Sequence, residues 1–261
     1  MLFFGFSAGL PLLLIFSSLG LWLREAGLDR SAVTFFSWAA LGYSFKFVWA
    51  PIVDFLPFPF LDKKFGRRRA WMLVSQISVI AAISMMALTN PALGDHQLKI
   101  MALAAVALGF SSATQDIVID AYRIESAPIK LQALMSSTYI AGYRIGMIIS
   151  GAGSLFIASY FGSEMNSYNY EAWKTTYFIM GLFMFIGIAT TLIINEPEEN
   201  KIIEKKLSVR QAENFVKIFK KKKSSFVKSV DPNIQNLEYS ISDKIGFNIS
   251  IKITKKIKVQ F

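Results

Sequence analysis

Residues 2–23 read LFFGFSAGLPLLLIFSSLGLWL and contain no charged side chain. A helix needs about 20 apolar residues to cross the hydrocarbon core of a bilayer, where unpaired backbone groups are too costly. A signal peptide is the alternative, but no basic residues precede this run, and Arg24-Glu25 follows it without a clear small-residue cleavage site. We therefore predict a retained membrane span.

Five further apolar runs follow along the chain, and they contain few charges. The six runs together cover residues 2–23, 32–53, 71–89, 100–122, 131–161 and 175–194. Each is long enough to cross a bilayer as a helix. The predicted fold class is therefore all-α integral membrane, with six transmembrane helices within residues 1–196.

The composition argues against a soluble enzyme. The chain of 261 residues is 53% hydrophobic and 18% charged, whereas soluble domains carry about 25% charged residues. It has no cysteine and a single histidine, His96, in a predicted loop, which excludes a thiolate metal site and an ordinary Ser-His-Asp triad. Two aspartates on one helix also lack the facing arrangement of a protease-like dyad. We expect no enzymatic activity, no metal and no cofactor.

Charge divides the chain into two regions. Residues 1–196 hold 13 Lys/Arg and 11 Asp/Glu, whereas residues 197–261 hold 15 and 7. We predict that residues 197–261 form a basic cytoplasmic tail, partly disordered or amphipathic. Residues 209–226 would suit an amphipathic helix on an anionic membrane surface, and a disordered, solvated tail is the alternative. No nucleic-acid-binding motif accompanies the basic residues, so we expect lipid and not nucleic acid as a partner.

Lysine and arginine in the short loops predict the orientation. The loop between the second and third runs carries five of them, and the loop between the fourth and fifth carries two. The loops on the other side, with the start of the sixth run, carry four. The first two loops and both termini are therefore predicted to lie in the cytoplasm.

Charges inside a membrane run usually face a bundle interior or a water-filled cavity. Asp116 and Asp120 lie four residues apart, so they share one face of the fourth helix, and Gln115 is adjacent. This face would line a substrate or proton pathway, where a carboxylate can take up and release a proton. A static ion pair with Lys46 or Arg144 is the alternative, and Lys46 lies at a depth compatible with pairing to Asp116.

Arg144 lies roughly 20 Å into the fifth span at 1.5 Å per residue. A guanidinium at that depth suggests contact with an anionic substrate, because it stays charged and offers a planar fork of donors. Snorkelling to the interface or an internal ion pair is the alternative. Gly142 and Gly146 flank it as a GxxxG motif, which favours close helix packing and leaves a hinge as the second interpretation.

The loop after the second run predicts a cytoplasmic gate. Asp54 directly follows that run, and Gly66 is followed by three arginines, Arg67, Arg68 and Arg69. The aspartate can attract this arginine cluster and latch neighbouring helices together. The same arginines would also fix topology by the positive-inside rule, and both interpretations can hold together.

Several of these segments resemble, in order along the chain, the AmpG-type muropeptide permeases of the major facilitator superfamily. The similarity covers residues 1 to about 197. The segments are GLPLLL at 9–14, WLREAG at 22–27, KFVWAP at 46–51, GRRR at 66–69, SATQDIVIDAYR at 112–123 and GYRIGM at 142–147.

The resemblance implies a proton-driven inner-membrane importer of anhydromuropeptides, used in cell-wall recycling. In such a fold the fourth span lines the central cavity, which implies that Gln115, Asp116 and Asp120 are pathway residues. Asp116 would be the proton carrier and Arg144 the substrate-anion contact. Lys46 would pair with Asp116 in one state and release it in another.

Transporters of this superfamily use two halves of at least six spans, and this sequence contains one half. The similarity ends where the composition changes, near residue 196, so we expect a truncated transporter that does not transport alone. A second transporter half or a homodimer would complete it. A non-transporting remnant, a regulatory membrane subunit and a carrier of another anionic metabolite remain open as alternatives.

Overall fold

The computed structural model describes residues 1–29, 33, 36, 41–56, 58, 60–164, 167–197, 240–242 and 248–250. The chain forms two compact units, Met1–Glu199 and Asn200–Phe261. In the second unit, strand β1 (Ser240–Ser242) pairs antiparallel with strand β2 (Asn248–Ser250), with Ile241 opposite Ile249. The sequence pattern did not predict this hairpin. The possible amphipathic helix at 209–226 lies outside the described residues.

The described part of the first unit is helical. Its helices are α1 (Leu2–Glu25), α2 (Leu41–Ser44), α3 (Lys46–Phe55), α4 (Leu61–Phe65), α5 (Arg67–Ala87), α6 (Asp95–Ser126), α7 (Ile129–Tyr160) and α8 (Tyr170–Ile193). One 3-10 turn, Pro91–Leu93, precedes α6. Helix α8 consists of Tyr170–Phe183 and Phe185–Ile193, joined at Met184.

Among the described residues, five helices are long and apolar enough to cross a membrane: α1, α5, α6, α7 and α8. They correspond to the first, third, fourth, fifth and sixth predicted runs. The second run lies partly outside the described residues, and α2 and α3 cover its later part. The predicted all-α membrane class is thus confirmed.

Helix α1 packs against α6, α7 and α8. Its side chains Leu10, Leu14 and Trp22 are fully buried and contribute to a core that also includes residues of α5, α6 and α8. A smaller cluster contains Phe4 of α1 and Tyr122 of α6, whose rings meet edge to face at 5.9 Å. Burying these apolar side chains together holds the helices in one bundle.

Glycines bring α1 and α7 into backbone contact. A Cβ atom added to Gly142 would overlap the carbonyl oxygen of Leu2, and one added to Gly5 would overlap that of Tyr139. Gly9 and Gly146 are equally confined by backbone atoms of the facing helix. The close packing predicted for the GxxxG motif is confirmed, because only glycine leaves room for this approach. Its counterpart on α1, Gly5 with Gly9, was not predicted.

Helices α1 and α7 each contain one π-helical turn, at Leu14–Ser18 and Ile149–Gly153, and the two turns are in contact. Such a turn disturbs the regular helical hydrogen-bond ladder. Ser18 Oγ donates to the Ser150 carbonyl oxygen at 3.0 Å, and the Tyr177 hydroxyl donates to that of Leu14 at 3.0 Å. Side chains from neighbouring helices therefore supply additional partners for these irregular turns.

Candidate functional site

The carboxylate of Asp116 lies in α6 and is nearly buried, with 7% of the residue exposed. Its Oδ1 accepts a hydrogen bond from the Tyr139 hydroxyl of α7 at 3.2 Å. Tyr43 and Tyr143 lie within electrostatic range of the same carboxylate. The Tyr43 hydroxyl donates to Ser112 Oγ at 2.7 Å, on the same face of α6 as Asp116. Tyrosines from α2 and α7 thus lie near the predicted proton carrier.

These tyrosines were not predicted from the sequence. Tyr43 lies within the second apolar run, and Tyr139 and Tyr143 lie within the fifth. Tyrosine is common in membrane helices, so the sequence signal was weak. Their spacing of four residues does place Tyr139 and Tyr143 on one face of α7.

Lys46 is half-buried and lies close enough for its positive charge to act on Asp116. No described carboxylate comes within 4.0 Å of its ammonium group, so the Lys46–Asp116 ion pair is not formed in this conformation. The arrangement combines a nearly buried carboxylate with a nearby cation that is not paired with any described carboxylate. The charge of such a carboxylate depends on its solvation and on the charges near it.

Arg144 is exposed on α7, adjacent to Tyr143. The part of the chain that the structure describes contains no carboxylate within 4.0 Å of its guanidinium. Neither ion pair considered for Asp116, with Lys46 or with Arg144, is therefore present here. Asp120 forms instead an ion pair with Arg123 at 3.1 Å, one turn along α6.

Gln115 points to a different set of neighbours from Asp116. It is fully buried, and its amide nitrogen donates to Ser7 Oγ of α1 at 3.0 Å. On the facing helices, the Thr191 hydroxyl donates to Gln76 Oε1 at 3.0 Å. Gln115 therefore belongs to a polar cluster inside the bundle, whereas Asp116 faces α7.

Several of the residues predicted for the gate meet around Arg68, whose side chain is 7% exposed. Its Nη1 lies 2.6 Å from Asp54 Oδ1 at the end of α3, and its Nε donates to Glu125 Oε2 at 2.8 Å at the end of α6. Its Nη2 also contacts Glu125 Oε1 at 2.5 Å. The guanidinium fork matches this geometry, because it can bind two carboxylates at once. Arg67 adds a hydrogen bond from Nη1 to the Asp54 carbonyl oxygen at 2.8 Å.

Glu196 joins the end of α8 to the start of α5. Its carboxylate accepts hydrogen bonds from the backbone amides of Arg68 at 2.8 Å and Arg69 at 3.1 Å, which caps α5. Gly66 precedes this turn with φ of +87°, and a Cβ there would overlap the Glu196 side chain. Arg69 in turn donates to the carbonyl oxygens of Thr191 and Leu192, at 2.9 Å each. We call the contacts of Arg68, Arg69, Asp54, Glu125 and Glu196 the arginine latch.

Glu125 and Glu196 were not predicted as members of the latch. Each follows a predicted span at the end where the basic loop lies, and this position was the only signal in the sequence. The latch therefore fastens the ends of four helices, α3, α5, α6 and α8.

Aromatic side chains pack together at the opposite end of the bundle. Trp22 of α1 stacks on Trp173 of α8 with ring centroids 5.7 Å apart and planes 3° from parallel. Glu25 accepts hydrogen bonds of 2.6 Å from Trp173 Nε1 and from Ser163 Oγ. The Tyr168 hydroxyl accepts from Trp22 Nε1 and donates to Asn90 Oδ1, and burial raises the pKa of this tyrosine.

Known proteins are similar to this chain over most of its length. The family described as Major Facilitator Superfamily matches residues 1–230. The chain belongs to the major facilitator superfamily. This membership agrees with the apolar helices of the first unit.

Two relatives within the superfamily indicate a narrower similarity. The chain is 35% identical over 194 residues to "Putative transporter AmpG 4" of Rickettsia felis, which covers 74% of this chain and 44% of that protein. It is 34% identical over 207 residues to "Anhydromuropeptide permease" of Escherichia coli, which covers 79% of this chain and 39% of that protein. The predicted resemblance is confirmed, and the chain spans less than half the length of these relatives.

The bundle has two chemically distinct features. Asp116, which lies near Tyr139 and Lys46, provides a nearly buried carboxylate. The arginine latch joins helix ends through charged hydrogen bonds, which are stronger than neutral ones. One feature suits proton exchange, and the other suits holding helices in a fixed arrangement.

Proposed function

We propose that the chain is one half of a proton-coupled transporter of anhydromuropeptides, located in a bacterial inner membrane and used in cell-wall recycling. The observation that carries the proposal is the nearly buried Asp116 carboxylate with Lys46 in electrostatic range. Similarity to the Escherichia coli permease supports the substrate class. Residues 1–196 form the transmembrane bundle, and residues 197–261 form a basic tail in the cytoplasm with both termini.

Asp116 takes up and releases the proton in this proposal. A carboxylate with little access to water changes its protonation readily when a cation approaches or leaves. Lys46 approaches Asp116 in one state of the transporter and withdraws in another. Asp120 and Gln115 belong to the same pathway. Asp120 pairs with Arg123, and Gln115 binds Ser7 of α1.

Arg144 contacts an anionic group of the substrate. Its guanidinium is exposed on α7 and forms no ion pair with a described carboxylate, so its donors are available for a carboxylate ligand. The arginine latch holds the cytoplasmic ends of the helices together while the pathway is open to the other side. Gly66 and Arg67 position this latch at the start of α5.

Another polypeptide, beside this chain, completes the pathway. The apolar window of α7 is only 28% buried within the chain, and the exposed side of that helix includes Arg144. A charged side chain facing hydrocarbon is costly, which favours a covering protein: either a second transporter half or a second copy of this chain. No enzymatic step is part of this function.

Two other functions remain as candidates. One is a regulatory membrane subunit or a remnant, which would insert into the membrane without transporting. Lys46 and Arg144 would also attract any carboxylate or phosphate, which favours a carrier of another anionic metabolite.

Uptake of labelled anhydromuropeptide tests the proposal in cells that lack their own permease. The chain is expressed alone and with the second half of the Escherichia coli permease, and its membrane insertion is verified in both cases. We expect uptake only with the second half, with dependence on the proton gradient, and loss of uptake in D116N. The matched control, K174A, changes an exposed charge and should retain uptake.

Each outcome separates the candidates. Uptake that persists in D116N contradicts the proton-carrier role. Insertion without uptake in either case favours the remnant or the regulatory subunit. Uptake of a labelled phosphate ester in the same cells, without uptake of labelled anhydromuropeptide, favours another anionic substrate.

A further inference from the structure

Among the described residues, Tyr139 donates a hydrogen bond from its hydroxyl directly to the Asp116 carboxylate. Its ring lies 6.0 Å from that of Tyr143, at 43° between planes. Tyr139 has no other side-chain hydrogen bond within the described part of the chain. The hydroxyl is thus directed at one partner, across the interface between α6 and α7.

The backbone of α7 is fixed by α1 at these same two tyrosines. Gly5 lies against the carbonyl oxygen of Tyr139, and Gly9 lies against that of Tyr143. A side chain reaches out from its backbone by a small set of staggered rotamers, so fixing the backbone fixes where the hydroxyl can reach. The glycine contact therefore determines how Tyr139 meets Asp116.

We propose that Tyr139 is a positioning residue for Asp116 and that Gly5 sets its position. The hydroxyl stabilises the ionised carboxylate and holds one of its oxygens in place. The role of this pair in proton transfer rests on the proposed function, whereas the hydrogen bond does not. A movement of α1 against α7 would then change the protonation of Asp116 through Tyr139, without a hydrogen bond from a described residue of α1 to the carboxylate.

The experiment measures modification of Asp116 by a hydrophobic carbodiimide. This reagent reacts with protonated carboxyl groups in apolar surroundings, and mass spectrometry of the peptides locates the product. The full chain is purified into lipid nanodiscs, so no transport is required. Asp120, which is paired with Arg123, serves as the internal reference.

At a pH where Asp116 of the wild type is mostly ionised, Y139F should increase the rate of modification of Asp116 about tenfold, because one hydrogen bond to a charged group is lost. Modification of Asp120 should not change. The control is Y160F, at an exposed tyrosine near the end of the same helix that forms no described hydrogen bond to Asp116, and it should match the wild type. An Asp116 rate in Y139F equal to that of wild type overturns the proposal.

G5A tests the second half of the proposal. We expect it to increase modification of Asp116 in the wild-type background and to add nothing in the Y139F background, because the glycine acts through the tyrosine. G153A is the matched control on α7, where an added Cβ would have its nearest neighbours at 3.9 Å. Additive effects of G5A and Y139F would contradict the role of Gly5, and if G5A does not fold, Y139F alone decides.

Failure here differs from failure of the proposed function. If Y139F changes the modification but D116N retains uptake, the hydrogen bond is real and Asp116 is not the proton carrier. If D116N abolishes uptake but Y139F leaves the modification unchanged, Asp116 acts without Tyr139.

Discussion

Replacing Arg68 by methionine should destabilise the bundle by about 2 kcal/mol. Removing one partner of a fully buried ion pair costs about 3–5 kcal/mol, whereas an exposed pair contributes about 0–1 kcal/mol. The Arg68 side chain is 7% exposed, but Asp54 is 44% and Glu125 is 32% exposed. Water can therefore solvate the two carboxylates partly once the arginine is gone, which places the cost between these limits.

The assay is reversible unfolding of the purified chain in mixed micelles of increasing denaturing-detergent content, followed by tryptophan fluorescence. Trp22 and Trp173 are fully buried, so their emission reports loss of the bundle. K174M is the matched control, because Lys174 pairs with the exposed Glu171 at 3.0 Å, and its cost should stay within about 0.5 kcal/mol. R68K should lie between the two, since an ammonium group lacks the fork that binds two carboxylates.

A double-mutant cycle isolates the contact with Glu125. R68M and E125Q should be non-additive by about 1 kcal/mol, because each removes the same interaction. The reasoning is refuted if R68M is as stable as K174M, or if the two substitutions are strictly additive.

Two further predictions concern close packing and pH. G142A should lower the free energy of unfolding by about 1–3 kcal/mol in the same assay, because the added methyl group meets the backbone of Leu2 and the helices must separate. A stability equal to that of the wild type would contradict this, since α1 and α7 could then separate at no cost. Burial raises the pKa of Tyr168 above its ordinary value near 10, so the folded state favours the neutral phenol. The neutral phenol of Tyr168 therefore gives its full stabilisation below pH 10, and this stabilisation is lost as the pH rises through the raised pKa. When unfolding is measured from pH 9 upward, Y168F should lose less stability with rising pH than the wild type, and identical profiles would contradict this.

The membrane spans could be predicted from the sequence because a bilayer restricts the possible solutions. An apolar run such as 2–23 must form a helix there, since its backbone groups have no other partners. Helical periodicity likewise placed Asp116 and Asp120 on one face, and Gly142 with Gly146 at a close contact. These inferences depend only on neighbours within a few residues along the chain. The paired strands Ser240–Ser242 and Asn248–Ser250 carried no comparable signal, and the orientation in the membrane stays a prediction.

Which partner each face meets was decided by the tertiary structure alone. Gln115 and Asp116 are adjacent in sequence, yet a rotation of about 100° per residue turns one toward α1 and the other toward α7. Arg68 meets Glu125 and Glu196 from positions 57 and 128 residues away, and no local pattern encodes such pairs. Tyr139 meets Asp116 across the interface of α6 and α7, and Gly5 of α1 lies against the Tyr139 backbone. Local periodicity determined the helices and their faces, whereas the packing of those helices determined the chemistry between them.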